Sequence, residues 1–256
     1  MKFGIIKERK NPPDRRVVFT PEELVRLQSE HPEAEIKVES SDVRIFSDDQ
    51  YRNLGLNVTA EMSDCDVLFG VKEVPVDALI PNKKYFFFSH TIKKQPYNRK
   101  LLKAILDKNI ELYDHETIVD ATNHRLIGFG RYAGLVGAYN GFRGFGIKYD
   151  LFTLPKAETL SGKEDLIARL KRQTLPNIKI VLTGHGKVGM GAKEILDGIK
   201  IKQVSVEDFL NKNYTEPVYT QIDVLDYNKR IDGKILDNND FYQNPQDYVS
   251  DFERFT

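Results

Sequence analysis

The segment IKIVLTGHGKVGMGAKEIL, residues 178–196, decides the fold. An apolar run precedes the pattern Gly184-x-Gly186-x-x-Gly189, and a helix-length stretch follows it. The first glycine of such a pattern permits a tight turn, the second lets the main chain approach a pyrophosphate, and the third lets helix and strand pack closely. The N-terminus of the helix offers amide groups and a positive dipole end to the anion. The pattern predicts a dinucleotide site, although a glycine-rich turn that binds nothing has the same spacing.

The residue that selects between NAD and NADP is expected near the end of the next apolar run, IKQVSV. An acidic residue about 20 positions beyond the glycines would hold the ribose hydroxyls of NAD. Ser205 lies near that point and Glu207 just past it. Glu207 in that place favours NAD, whereas Ser205 leaves room for the phosphate of NADP, which Lys202 could help to bind. The sequence leaves NAD or NADP open.

Upstream of this segment, short apolar runs alternate with helix-length amphipathic stretches, which predicts a parallel sheet covered on both faces. Thr20 with Glu23, and Ser47 with Gln50, have the spacing of capping boxes at helix starts. The expected fold class is α/β, with two Rossmann-like doubly wound domains. The predicted strands are FGIIKE, EIKVES, DVLFGVKE, KYFFFSH and IELYDHE.

The predicted domains are an N-terminal substrate domain at residues 1–130, a connector at 131–176 and a dinucleotide-binding domain at 177–256. The connector begins with glycines spaced 3, 4 and 3 apart, which would lie on one side of a helix and let another backbone come close. We therefore predict a packed interdomain helix, with a glycine-rich loop as the alternative. The glycines are Gly134, Gly137, Gly141 and Gly144.

The composition narrows the class of partner. The chain has 256 residues, with 38 Lys and Arg against 38 Asp and Glu, so no net charge favours nucleic acid or an anionic membrane. Cys65 is the single cysteine, which excludes a disulfide framework and a cysteine-rich zinc site; no metal is expected. No apolar run approaches the roughly 20 residues of a membrane span. We expect a cytoplasmic protein that acts on a small-molecule substrate, with its oligomeric state open.

Ionisable residues follow several predicted strands, at the edge where open α/β sheets bind ligands. Each residue alone is best explained as a solvated loop charge, but several strands ending in Lys, His or Glu at one edge favour a site. For His90, at the end of an aromatic run, the alternative is a core histidine bonded to the backbone. The residues are Arg15, Arg16, Lys72, Glu73, His90, Glu116 and Arg125.

Seven ordered segments resemble a known family. They are similar to the lysine-forming saccharopine dehydrogenases, and more closely to the lysine–2-oxoglutarate reductase half of the bifunctional aminoadipic semialdehyde synthases. More distantly they resemble alanine dehydrogenase and the transhydrogenase subunit that shares its fold. The segments are DRRVVFTPEE, VKEVP, FFSHTIKKQ, LYDHE, HRLIGFGRYAGLVGA, VLTGHGKVGMGAKEI and FYQNPQDYVSDFERF.

This resemblance implies roles for individual residues. Lys72 and His90 match the acid/base pair, and Arg16 and Arg125 match the ligands of the substrate carboxylates. His124 departs from the pattern, because some members carry a cofactor-contacting arginine there. The remaining substrate-site residues would be Glu73, Gln95, Glu116 and Phe129. The pyrophosphate loop would comprise Gly184, Gly186, Lys187, Val188 and Gly189.

The implied activity is the NAD(P)-dependent interconversion of saccharopine with L-lysine and 2-oxoglutarate, in which hydride loss gives an imine that water cleaves. Several proton transfers follow one another, so two titrating groups suit the reaction better than one. The alternatives are an alanine dehydrogenase-like oxidoreductase, against which SHTIKKQ and HRLIGFGRYAG argue, and a non-catalytic nucleotide- or amino-acid-binding protein.

The second domain is expected to be incomplete. A doubly wound dinucleotide domain has six strands, and relatives continue beyond SDFERFT with strands that flank the nicotinamide. Because the motifs before this point are intact, we expect a fragment rather than a natural short form.

Overall fold

The computed structural model describes all 256 residues. They divide into two compact units, Met1–Gly128 and Phe129–Thr256. None of the helices in either unit is long and apolar enough to cross a lipid bilayer.

The first unit is built on a parallel sheet with the spatial order β3-β2-β1-β4-β5-β6. This is the order of a doubly wound sheet, and the direction of winding reverses between β1 and β4. Ligands of such sheets bind beyond the carboxyl ends of the strands at this reversal. The strands are β1 (Lys2–Ile5), β2 (Glu35–Glu39), β3 (Asn57–Thr59), β4 (Val67–Phe69), β5 (Lys84–Phe87) and β6 (Glu111–Asp114).

Three helices connect these strands: α1 (Pro21–Glu30), α2 (Asp48–Arg52) and α3 (Arg99–Asp107). Both predicted capping boxes are confirmed, at the N-terminus of α1 and again at that of α2. At α1, the Thr20 side chain accepts a hydrogen bond from the Glu23 amide at 3.2 Å, and the Glu23 carboxylate accepts one from the Thr20 amide at 2.8 Å.

The aromatic run of β5 contributes side chains to the packing on both faces of this sheet. Tyr85 and Phe87 are buried in the core on the α3 side. Phe86 points to the other face, where its ring stacks between those of Phe69 and Tyr113, with centroids 4.7 and 4.5 Å away. Successive side chains of a strand alternate between faces, so one aromatic run serves two cores.

The second unit contains a parallel sheet of three strands in the order β7-β9-β8 and a separate antiparallel pair, β10 and β11. The helices α4, α5 and α6 contribute to the core on one face of the parallel sheet, and α7 to the core on the other. The elements are α4 (Gly130–Lys148), α5 (Lys163–Lys171), β7 (Lys179–Thr183), α6 (Lys187–Gly198), β8 (Lys202–Gln203), α7 (Val206–Asn211), β9 (Val218–Ile222), β10 (Asn228–Arg230), α8 (Asn238–Gln243) and β11 (Tyr248–Ser250).

Two strands of the second unit differ from expectation. The strand predicted from IKQVSV is reduced to the two residues of β8, because Ser205 already caps α7. The central strand is β9, which was not among the predicted strands and whose five residues are all buried.

The helix predicted from the glycine-rich segment is confirmed as α4, but the role predicted for its glycines holds at one position only. A Cβ atom on Gly134 would lie 2.0 Å from the Val188 carbonyl oxygen of α6. Gly191 of α6 makes the reciprocal contact, since its Cβ would lie 2.1 Å from the Arg131 oxygen. The two helices therefore cross in backbone contact at this pair. A Cβ would meet nothing within 4 Å at Gly137, Gly141 or Gly144.

The residues predicted as a connector contribute to the core of the second unit. Leu135 of α4, Leu154 of the segment between α4 and α5, and Leu166 of α5 are all buried there. They pack in one cluster with Ile195 of α6 and Tyr219 of β9.

Candidate active site

The carboxyl edge of the first sheet brings together charged residues from four loops. Because all six strands are parallel, the loops after β1, β4, β5 and β6 leave the sheet at one edge. These loops carry Arg16, Lys72, His90 and Glu116 respectively. The edge therefore combines a guanidinium, an amine, an imidazole and a carboxylate.

The His90 ring faces a carboxylate. Its Nδ1 atom lies 2.8 Å from Glu73 Oε1, and its side chain is 16% exposed. Lys10 donates to the other carboxylate oxygen of Glu73 at 3.0 Å. Burial opposes ionisation of Glu73, but hydrogen bonds from its own amide and Lys10, with the charge of His90, bring the pKa of Glu73 below its usual value. The ring is thus oriented by a side chain and is not a core histidine bonded to the backbone.

The main chain of His90 is held in a left-handed conformation, with φ of 55°. The buried Asn98 side chain donates to the His90 carbonyl at 3.1 Å. On either side of His90, the Ser89 hydroxyl donates to Asp114 and accepts from the Thr91 amide at 3.1 Å. Positive φ is uncommon for residues other than glycine, although histidine adopts it more often than most. Lys94, at the end of the same turn, also has positive φ, of 54°.

Lys72 follows β4 and is positioned through its main chain. Glu8, in the loop after β1, accepts hydrogen bonds from the amides of Val71 at 2.7 Å and Lys72 at 2.9 Å. Burial raises the pKa of Glu8, and the two amide hydrogen bonds offset only part of this effect.

Arg16 pairs with Asp14 two residues before it, with Nε donating to Oδ1 at 2.9 Å and Nη2 to Oδ2 at 2.5 Å. These hydrogen bonds hold the pKa of Asp14 below its usual value against the effect of burial, and the charge of Lys72 acts in the same direction. Lys72, Asp14 and Arg16 therefore form one charged neighbourhood.

Glu116 is the centre of a second charged group at this edge. Its Oε1 atom lies 3.2 Å from Lys93 Nζ and 3.6 Å from Arg125 Nη1. Its Oε2 atom is buried without a hydrogen-bond partner. Buried polar atoms are almost always satisfied, so this oxygen is a candidate acceptor for a ligand ammonium group.

Other predicted residues lie apart from these contacts. Gln95 is exposed and precedes the turn that leads into α3. His124 is exposed in the loop after β6 and contacts the Thr122 hydroxyl at 2.7 Å. Phe129 is the N-cap residue of α4 and belongs to the second unit.

The glycine loop lies in the second unit, between β7 and α6. Gly184 has φ of 82°, which favours glycine, and a Cβ on Gly189 would lie 2.2 Å from the Gly184 oxygen. Gly186 precedes α6, and a Cβ there would meet nothing within 4 Å. Neither backbone conformation nor protein packing therefore requires glycine at 186, whereas the close approach of a ligand would. Lys187, Val188 and Gly189 form the first turn of α6, which has no side-chain cap.

The two residues considered for cofactor choice lie at the start of α7. The Ser205 hydroxyl accepts a hydrogen bond from the Asp208 amide at 3.1 Å and so serves as the helix cap. Glu207 is exposed in the first turn of the same helix. Neither residue selects between NAD and NADP, and both stay predicted cofactors.

Four site residues were absent from the prediction: Glu8, Lys10, Asp14 and Lys93. Asp14 had a sequence signal, because its spacing of two residues from Arg16 allows a side-chain pair. Glu8 had a weaker one, as a carboxylate just past the first strand.

These observations define an α/β protein with two units. The first is doubly wound and carries a cluster of ionisable side chains at its strand ends, and the second has a glycine loop before a helix. The sequence model described as alanine dehydrogenase/PNT, N-terminal domain, matches residues 4–136. The chain belongs to this family.

Individual relatives agree with this assignment. The alpha-aminoadipic semialdehyde synthase of Arabidopsis thaliana is 28% identical over 285 residues, covering 96% of this chain and 27% of the relative. The saccharopine dehydrogenase [NAD(+), L-lysine-forming] of Yarrowia lipolytica is 27% identical over 192 residues, covering 67% of this chain and 51% of the relative. This chain thus spans about a quarter of the first and half of the second.

Among solved structures, an L-alanine dehydrogenase superposes with a TM-score of 0.57 at 19% identity, covering 86% of this chain and 60% of the other. This likeness concerns the fold alone. The predicted resemblance and the predicted α/β fold class are confirmed.

Proposed function

We propose that this chain is part of an NAD(P)-dependent oxidoreductase that interconverts saccharopine with L-lysine and 2-oxoglutarate. The observation that carries the proposal is the 2.8 Å contact between His90 Nδ1 and Glu73 Oε1. Since Glu73 follows Lys72 directly in the chain, this contact brings an imidazole beside the loop that presents an amine. Similarity to relatives named as aminoadipic semialdehyde synthase and saccharopine dehydrogenase supports the substrate class.

Lys72 and His90 would share the proton transfers of this reaction. A proton leaves the secondary amine as hydride leaves the adjacent carbon, and another leaves the water that adds to the resulting imine. Glu73 would keep the His90 ring oriented and stabilise its protonated form, as a carboxylate does for a catalytic histidine.

The charged groups around this pair suit a substrate with several carboxylates and an ammonium group. Arg16 and Arg125 would bind carboxylates, because guanidinium groups stay charged and bind them in a bidentate manner. Arg16 already pairs with Asp14, so a substrate carboxylate would share or displace that pair. Glu116 Oε2, which is buried without a partner, would accept the ammonium group.

The glycine loop supports binding of NAD or NADP. Gly184 and Gly189 fit the turn and the packing of such a loop, and Gly186 leaves space beside the uncapped start of α6. The loop amides would hold the pyrophosphate. When bound, the nicotinamide would accept the hydride. Steady-state KM values for NAD and NADP would decide between the cofactors, and cell fractionation would test the predicted cytoplasmic location.

The first test follows nicotinamide absorbance with saccharopine, with lysine plus 2-oxoglutarate, and with alanine or pyruvate. We expect turnover with the first two when the assay uses the full-length gene product. We also expect Lys72→Met and His90→Ala to lower kcat by about 100-fold or more, the usual size of an acid/base contribution. His90→Asn serves as a second variant, since asparagine tolerates the left-handed conformation better than alanine.

Exposed residues of the same types provide the controls: Lys100→Met and His31→Ala should leave kcat unchanged. Turnover with alanine or pyruvate alone would favour the alanine dehydrogenase-like alternative. Ligand binding without turnover by the full-length gene product would favour a non-catalytic protein. Near-normal rates in both site variants would remove Lys72 and His90 from the mechanism.

A further inference from the structure

We propose that Glu8 is the positioning residue that fixes the main chain of Lys72, and through it the amine, at the reversal of the first sheet. This inference rests on the proposed function, in which Lys72 transfers protons. Glu8 would act through Lys72 and not on the reacting atoms.

Just beyond the end of β4, Glu8 takes over from the neighbouring strand as the hydrogen-bond acceptor for the backbone amides. The Gly70 amide still donates to the Phe86 carbonyl of β5, at 2.8 Å. The next two amides, of Val71 and Lys72, donate to the two carboxylate oxygens of Glu8 at 2.7 and 2.9 Å. Two successive amides bound by one ionised group fix two peptide planes. The direction in which the Lys72 side chain leaves the backbone is therefore set by Glu8.

The loop that carries Glu8 is itself held from the neighbouring strand. The Lys7 amide donates to the buried Glu39, at the end of β2, at 2.9 Å. On the other side, the Val71 carbonyl accepts from the Phe88 amide at 3.0 Å, two residues before His90. A continuous series of contacts thus runs from β2 through Glu8 to the segments that carry Lys72 and His90.

The Glu8 side chain is half-buried and lies beside Gly70. A Cβ on Gly70 would lie 3.1 Å from Ile6 Cδ1 and 3.6 Å from Glu8 Oε1. Burial of the Glu8 carboxylate opposes its ionisation, so a neutral side chain would be less costly to bury. A neutral glutamine, however, offers one acceptor oxygen for two amides and turns an NH2 donor toward the second. The need for two acceptors explains the acidic residue.

The experiment compares wild type, Glu8→Gln and the control Glu61→Gln. Glu61 is also a carboxylate that accepts a nearby amide, from Ser63 at 2.8 Å, but it is exposed and lies after β3. Three quantities are measured: hydrogen exchange of the Val71 and Lys72 amides by NMR, the pH titration of the Lys72 Nζ resonance, and kcat and KM for saccharopine.

In Glu8→Gln we expect faster exchange at both amides, a shifted Lys72 titration and a kcat lowered about 10- to 100-fold with little change in KM, the effect of a displaced catalytic group. Glu61→Gln should match wild type in all three. If Glu8→Gln does not fold, Glu8→Asp, which keeps both oxygens on a shorter side chain, is measured by the same three criteria.

The outcomes separate this inference from the proposed function. A full-length wild-type gene product without turnover would count against the function, while exchange and titration would still test the role of Glu8. Unchanged exchange and an unchanged Lys72 titration in the Glu8 variant would overturn the inference, as would unchanged kcat in an active enzyme.

Discussion

Two residues at the carboxyl edge of the first sheet are held in locally unfavourable states. His90 has a left-handed backbone, and the Oε2 atom of Glu116 is buried without a partner. Each such feature costs about 1–3 kcal/mol. Six other residues besides glycine share the left-handed backbone, so the buried Glu116 oxygen without a partner is the stronger indication of a binding site. His90 and Glu116 lie at the same edge of the sheet as the cluster of ionisable side chains, so both observations point to one candidate site.

His115 gives a pH prediction at the residue scale. It is 6% exposed, and burial lowers its pKa although the charge of Asp114 acts in the opposite direction. Because the folded-state pKa is depressed, the unfolded chain takes up the proton first. The contribution of His115 is therefore present above about pH 6.5 and is lost as the pH falls through the folded pKa.

We expect the free energy of unfolding to fall from pH 7 to pH 5 more steeply in wild type than in His115→Phe. Urea unfolding at a series of pH values measures both slopes. The exposed His31→Phe should keep the wild-type slope, and equal slopes for wild type and His115→Phe would show that His115 does not contribute.

At the scale of elements, hydrogen bonds between residues close in the sequence could be predicted, and those between residues far apart in the sequence could not. The cap of α1 depends on Thr20 and Glu23, three residues apart, and the sequence predicted it. The Glu8 contacts span 63 and 64 residues, so no local spacing reveals them. The strand β9 was missed because two of its buried residues, Thr220 and Gln221, are polar. Gln221 is satisfied there by donating to the Gly184 carbonyl at 2.8 Å.

The glycines of α4 give a matched pair of variants. Gly134→Ala should lower the free energy of unfolding by roughly 3 kcal/mol, because its Cβ would overlap the backbone of α6. Gly137→Ala should raise it by up to about 1 kcal/mol, since alanine favours the helix and its Cβ would meet nothing within 4 Å. Thermal and urea unfolding measure both. Equal effects of the two substitutions would refute the backbone contact between α4 and α6.

At the scale of the whole molecule, most of the predicted substrate-site residues lie in one unit and the predicted cofactor loop lies in the other. Lys72, His90 and Glu116 lie in Met1–Gly128, and the glycine loop lies in Phe129–Thr256. The strand rhythm and the glycine loop allowed the fold class to be predicted. The contacts that orient Lys72 and His90 could not be, because they join loops that only the folded sheet brings together.

The first unit should fold alone, because its clusters on both faces of the sheet use residues of that unit only. We expect a protein of residues 1–128 to show a cooperative thermal transition by circular dichroism and to keep slow exchange at the Lys72 amide. A protein of residues 1–110, which lacks β6, should not fold. Absence of a cooperative transition in the longer protein would contradict independent folding.

The backbone contact between Gly134 and Gly191 has an evolutionary consequence. Any amino-acid replacement at either position adds at least a methyl group where a carbonyl oxygen already lies, so selection should remove nearly all such replacements in this lineage. At Gly137, Gly141 and Gly144 an added Cβ would meet no other atom of the chain within 4 Å, so packing does not require glycine there. Sequence drift should therefore erode the regular glycine spacing of this helix while leaving its first glycine and the partner on α6 as a fixed pair.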